Sequence, residues 1–174
     1  SDWQGSHRAL FLELTQAGLE QAQLLGLTPA PNETHAGLRR GCSLAQIHLI
    51  LRAAELLQAE RYQQVRPFAE PVPLPDSQTY TPLLSAVDQD GQVIFVECER
   101  EPAAEDRTAR WLRAAQAGHG ELHLVTTTPT LQESLVSEIN LAKLRQPFRL
   151  RAANIVDYTR RARSVDGGLW LYQG

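Results

Sequence analysis

Methionine is missing from the sequence altogether, including from position 1. Chains are made with a leading methionine and usually contain more. This one is therefore expected to be a piece of a longer protein, with Ser1 left over from processing or tagging. Long apolar runs are also missing. None approaches the roughly 20 residues a bilayer span needs, and no charged-then-apolar leader opens the chain. Cysteine is scarce: Cys42 and Cys98 stand far apart, with neither disulfide-framework nor metal-ribbon spacing. Cys98 falls in an apolar run, where cysteine acts as a small hydrophobe. These shortages point to a cytoplasmic protein with no membrane partner. There is no Walker A loop, no GxGxxG, no GxSxG and no zinc ribbon, so common nucleotide and hydrolase signatures give no lead.

What is present is ordinary globular material. Apolar residues make up 43 % of 174 positions and charged residues 21 %, enough for a real core and too little charge for wholesale disorder. The length suits one domain, or one domain with a small appendage. The net charge of −3 argues against a strongly basic nucleic-acid binder, but the charge is uneven. Residues 143–163 carry Lys143, Arg145, Arg149, Arg151, Arg160, Arg161 and Arg163 against Asp157 alone, a local +6 that leaves −9 elsewhere. Such a segment is a candidate DNA- or partner-binding face, because phosphate binding needs clustered positive charge. The plainer alternative is a solvated surface whose charges diverge once folded.

Along the chain, residues 7–14 read as a strand, followed by a helix to about Leu25 with Thr15 as its N-cap and Gly26 as its stop. Strand, turn and helix of this kind end many winged-helix domains, so 1–28 is expected to be the remnant of one. Pro29, Pro31, Asn32, Gly37 and Gly41 make 27–41 look like a linker, with a boundary near residue 30 and an α/β domain over 29–174. Ser43 then caps a helix to about Ala59, marked by Leu44, Ile47, Ile50, Leu51, Ala54 and Leu57. Residues 61–69 read as a strand. The prolines at 67, 71, 73 and 75 bar a central strand there. A hairpin follows, 81–87 and 92–99 about an Asp90-Gly91 turn. Pro102 opens a helix to about Ala117; 121–127 is a strand, Pro129 starts a helix, 148–150 is a short strand, 154–163 is helical, and 169–172 is a last strand after the turn at 166–168. The strand after the 102–117 helix is expected to lie parallel to the one before it. The fold class expected is α/β, a mixed central sheet with flanking helices.

The best candidate for chemistry is Glu97 with Glu99. Two apart on a strand, they point to the same face. Paired carboxylates at a strand's end need something positive beside them, a divalent cation or an arginine. Mg²⁺ would use one or two such carboxylates together with phosphate oxygens. The alternative is structural: Glu99 reaches solvent while Glu97 pairs with an arginine such as Arg66 or Arg113. Other groups are weaker. His48 reads as a partly buried packing residue. His119 and His123 flank the start of a strand four apart, and on a strand that spacing is roughly 13 Å, too long to favour a shared ion. Ser43 is better explained as a cap than as a nucleophile, and Trp3, Trp111 and Trp170 as packing residues.

One motif set narrows the reading: Tyr80-Thr81-Pro82-Leu83-Leu84, then Asp90-Gly91, then Phe95-Val96-Glu97-Cys98-Glu99-Arg100. With the αβββαβ order, it resembles the PD-(D/E)xK or restriction-endonuclease-like fold. Residues 35–127, from His35 through the long helix and the Pro-rich segment, are similar to the replication-relaxation family of bacterial plasmids and other mobile elements. That resemblance implies an N-terminal winged helix and a role in DNA handling. The chain also departs from the pattern. Leu83 stands where the family has an aspartate after proline, and Glu99 where the general nuclease pattern has a lysine.

The expectation is therefore a noncatalytic nuclease-fold module of a protein acting in plasmid replication control or mobilisation, without a cofactor and with weak DNA affinity. One rival is an active nuclease using Mg²⁺ or Mn²⁺ on Glu97 and Glu99, with a third ligand from Glu55, Glu60 or Asp76. Another is a protein-interaction domain that does not bind DNA.

Overall fold

A computed structural model describes residues 32–101, 107–143, 146–161 and 168–174. The expected winged-helix remnant, the start of the helix at Pro102, and Arg145 and Arg163 lie outside these residues.

The first element corrects the sequence reading. Residues expected to be linker form helix α1, Asn32–Arg39. The two glycines of that stretch, Gly37 in the helix and Gly41 just after it, are not linker residues. Gly37 lets α1 approach the next helix: a Cβ there would lie 2.5 Å from Ile47 Cγ1 and 2.6 Å from Phe68 Cζ. Gly41 sits at φ +75°. The Cys42 amide bonds the Gly37 carbonyl at 3.1 Å and the Gly41 amide bonds Leu38 at 2.9 Å, the Schellman way of ending a helix. Arg40 then ties the turn to the sheet through the carbonyls of Pro82, Phe68 and Ala69, at 2.9, 2.7 and 2.7 Å.

Helix α2, Leu44–Ala59, begins as expected, with Ser43 Oγ accepting from the Gln46 amide at 3.2 Å. Strand β1 is Gln63–Pro67. Apart from Pro67, which ends the edge strand β1, the Pro-rich stretch stays out of the main sheet. Its Val72–Pro73 (β2) pairs antiparallel with Thr79–Tyr80 (β3) as a separate ribbon. The strand expected from residue 81 starts only at β4, Leu84–Val87, because Pro82 interrupts it. Strand β5 is Val93–Glu99, α3 is Arg107–Ala117, β6 is Glu121–Thr126 and α4 is Pro129–Lys143. Strand β7, Arg149–Asn154, runs longer than expected. Asn154 then caps α5, Ile155–Arg161, by accepting from the Asp157 amide at 2.8 Å. The last strand, β8, is only Tyr172–Gln173.

The main sheet has the order β1-β4-β5-β6-β7-β8. Strands β1, β4 and β5 are antiparallel neighbours, while β5, β6 and β7 run parallel. The hairpin Leu84↔Val96 to Val87↔Val93 turns through Gly91 at φ +80°, with Asp88 Oδ1 accepting from the amides of Asp90 and Gln92 at 2.9 and 2.8 Å. Alternation sorts the strands into two cores. Ile94, Val96, Cys98, Val125 and Ala153 pack with α2 on one face. Phe95, Leu122, Leu124, Leu150 and Ala152 pack with Trp111, Leu135 and Ile139 on the other. The architecture is thus α/β, a mixed six-stranded sheet with helices on both faces. No helix among the described residues is long and apolar enough to cross a membrane.

Candidate functional site

Glu97 and Glu99 lie on the α3 face of β5, in register with Leu124 and Thr126 of parallel β6. Period-two alternation put them there, and the hydrophobic neighbours on the strand hold the register. Glu97 is completely buried. Its carboxylate accepts from Tyr80 Oη on one oxygen and from Arg110 on both, Nε to Oε2 at 2.5 Å and Nη2 to Oε1 at 3.0 Å. Arg110 Nη2 also donates to the Thr81 carbonyl at 3.2 Å, and the guanidinium stands 5.8 Å from the Tyr80 ring centre. A two-point Arg–carboxylate fork with a third donor is the strongest pairing side chains offer such a group. Burial lowers the Arg110 pKa, but Glu97 outweighs it and holds the group above its ordinary value. Burial, then Glu97, pushes Tyr80 well up, so it remains a hydroxyl donor.

Glu99 has a different environment. Its side chain is 14 % exposed and lies 3.9 Å from Arg107 Nη1. Burial, and then Glu97, pushes its pKa up to about 7, against pulls from Arg107, Trp111 and Arg110. The Trp111 N–H contributes to that pull without completing a geometrically sound hydrogen bond. Arg107 also meets Glu138 Oε2 at 3.7 Å and donates to the Glu101 carbonyl at 2.8 Å. An open hollow of about 340 Å³ beside Glu99 is lined by Cys42, Ser43, Gln46 and Arg100.

The arginine partner expected for Glu97 is present, but it is neither Arg66 nor Arg113. Arg66 is exposed on the edge strand. Arg110 and Arg107 come from the first turns of the described part of α3, which packs over β5 and β6. The acids proposed as a third ligand do not join Glu97. Glu55 pairs with Arg52 at 2.5 Å, Glu60 accepts from Tyr158 Oη at 2.8 Å, and Asp76 accepts from the Gln78 amide at 3.3 Å in its own turn. Leu83 packs against the α2-side core. As folded, these residues do not fit a divalent ion: both oxygens of Glu97 are taken, and the neighbouring pattern position is a hydrocarbon.

His48 is exposed rather than partly buried, since its place on α2 faces away from the sheet. His123 is buried, with its ring 4.8 Å from that of Trp170. Trp111 is fully buried in the α3-side core. In the basic segment, Arg151 is paired with Glu121. Lys143 and the exposed Arg149 sit where α4 ends and β7 begins. Exposed Arg160 lies on α5, which follows the opposite end of β7. The side chain of Arg161 is outside the described set.

Comparison with known proteins gives no matching family model, no matching curated protein and no matching solved structure.

Proposed function

We propose that this domain is a catalytically silent, nuclease-like module of a cytoplasmic DNA-handling protein, of the replication-relaxation type from a plasmid or other mobile element. The observation that carries the silent-site reading is the engagement of Glu97: Arg110 and Tyr80 occupy both oxygens of the one fully buried acid in the motif. The strand order helix, three antiparallel strands, helix, parallel strand supports the nuclease-like part. Hydrolysis on such a strand needs oxygens converging on an ion and a group to activate water. Leu83 and Glu99 supply neither the missing acid nor the lysine.

Contact with DNA is then weak, made by Lys143, Arg149 and Arg160 with the phosphate backbone. The test is incubation of supercoiled plasmid with Mn²⁺ or Mg²⁺, alongside duplex binding at rising salt. The expected result is no nicking, and weak binding that falls steeply with salt. Nicking lost in Glu97→Ala would establish the active-nuclease reading instead. Tight, salt-insensitive binding would contradict backbone contact.

A second reading, a protein-interaction domain, draws support from the scatter of the basic segment. Arg151 is neutralised by Glu121, and the exposed cations sit toward opposite ends of β7. No measurable duplex affinity at low salt would favour it.

A further inference from the structure

We propose that the groove between strand β1 and the loop 67–72 binds a small aryl carboxylate, a compact aromatic ring carrying one carboxylate a few bonds away. The groove uses neither Arg110 nor Glu97, and it stands whether or not that centre is silent.

Helix α2 packs on one side of β1, β4 and β5, while on the other side α3 and α4 cover β5, β6 and β7. A hollow of about 580 Å³ remains beside β1 and β4, a size suited to a small ligand. Its floor is one row across three strands. Arg66 stands opposite Ser85, and Ser85 opposite Phe95, so all three project from the same face at strand spacings of about 4.8 Å. Ser85 is 8 % exposed, and its hydroxyl forms no hydrogen bond among the described residues. Arg66 is exposed and forms no ion pair among them. The Phe95 ring is held edge-on by Tyr80, with 5.7 Å between ring centres. Val93 at the mouth is 49 % exposed. The wall opposite is already tied down. The Phe68 amide donates to the Leu83 carbonyl at 2.7 Å, Arg40 holds the carbonyls of Phe68 and Ala69, both at 2.7 Å, and Val72 is paired with Tyr80.

A cation beside a hydroxyl donor matches a carboxylate, which can accept a charge-assisted bond from each. One strand further on, Phe95 and Val93 match an aromatic ring. Glu70 on the rim opposes further negative charge, so a monoanion fits where a polyphosphate does not. Strand addition is disfavoured at this edge. Gln64 at φ +46° bends β1, and Pro67 has no amide to donate. A compact ligand therefore fits the groove better than an extended peptide.

The test is a nuclear magnetic resonance titration of the protein with phenylacetate, 3-phenylpropionate and indole-3-acetate. At least one is expected to bind saturably and to shift the amides of Phe68, Ser85 and Phe95. The neutral amide of the best binder, and Arg66→Gln with the acid itself, should each weaken binding by about tenfold or more. Ser85→Ala should weaken it several-fold. Val93→Glu, at an exposed position, should abolish it by crowding the mouth with negative charge. His48→Gln, exposed on α2 at the opposite face, should leave affinity unchanged. The comparison of acid with amide uses wild type alone and needs no variant to fold. Absence of saturable binding by all three acids up to about 10 mM, a range that detects even roughly millimolar affinity, overturns the proposal. Equal affinity for acid and amide overturns it as well, because the ring would then be held without its carboxylate. Shifts confined to other surfaces do the same.

Discussion

Arg110 reaches Glu97 from a helix that begins after the strand ends, and the two groups differ sharply in exposure: 33 % for the arginine side chain and 0 % for the glutamate. The pair is therefore asymmetric. Loss of Arg110 strands a charge in the interior, whereas loss of Glu97 leaves a cation that can turn toward water. Removing one partner of a buried pair costs about 3–5 kcal/mol when the other is left without solvent. Arg110→Met is expected near that range. Glu97→Gln, which can still bond Tyr80, should cost about 1–2 kcal/mol. The double variant should recover much of the Arg110→Met loss. Urea unfolding of the four proteins at one pH measures the cycle, and equal costs for the two single variants would contradict the asymmetry.

Glu99 makes stability depend on pH in the direction opposite to an ordinary paired acid. Its pKa goes from an ordinary 4.5 to about 7 in the fold, burial being the main cause. Between those values the folded state binds the proton and the unfolded state does not. Stability from this group therefore falls as pH rises from about 4.5 to 7, and levels off above. The span corresponds to roughly 3 kcal/mol. Glu99→Gln removes the dependence and should be more stable than wild type at pH 8. An unchanged pH slope in the variant would show that the carboxyl does not titrate in this window.

His123 works against Glu99 over nearly the same range. Burial lowers its pKa from 6.5 to about 4, with Glu121 opposing and Arg151 assisting. Here the unfolded state binds the proton first, so stability is lost as pH falls from about 6.5 to 4. The two slopes have opposite sign and overlap between about 4.5 and 6.5. Wild type is expected to be nearly flat there. Glu99→Gln should expose the histidine's acid sensitivity, and His123→Phe should expose the carboxyl's loss of stability toward neutral pH. Melting temperatures at four pH values for the three proteins decide it, and parallel curves would refute the compensation.

The placement of Glu97 and Glu99 was legible because a strand has period two, and Val93–Glu99 is apolar enough to fix which residues face which core. The α2 helix was legible from its spacing and from Ser43. The partner of Glu97 was not. Choosing Arg110 over Arg113 depends on how α3 crosses the sheet, and choosing Tyr80 depends on a ribbon outside that sheet. A usable signal existed in Arg107 and Arg110, three apart on one face of the helix that follows the acidic strand. Strand β7 was read short because Arg149 and Arg151 interrupt its apolar run, yet Arg151 is retained by pairing with Glu121 across β6.

Gly37 is the other point where residue type misled, and it yields the sharpest packing test. Glycine in the middle of a helix ordinarily gains from replacement by alanine, about 0.5–1 kcal/mol from backbone entropy. In α1 that gain meets an obstacle. The added methyl would stand 2.5 and 2.9 Å from Ile47 Cγ1 and Cδ1 and 2.6 Å from Phe68 Cζ. Ile47 and Phe68 are 2 % and 5 % exposed, packed within the α2-side core, so neither can swing clear into water. Overpacking of this kind costs about 1–3 kcal/mol, which outweighs the entropic gain. Gly37→Ala is therefore expected to destabilise the domain, and adding Ile47→Val should return part of the loss by removing a methyl group from the crowded side chain. Chemical denaturation of the two variants gives the sign directly. A stabilised Gly37→Ala would mean that α1 does not pack against Ile47 and that 27–41 behaves as the linker its composition suggested.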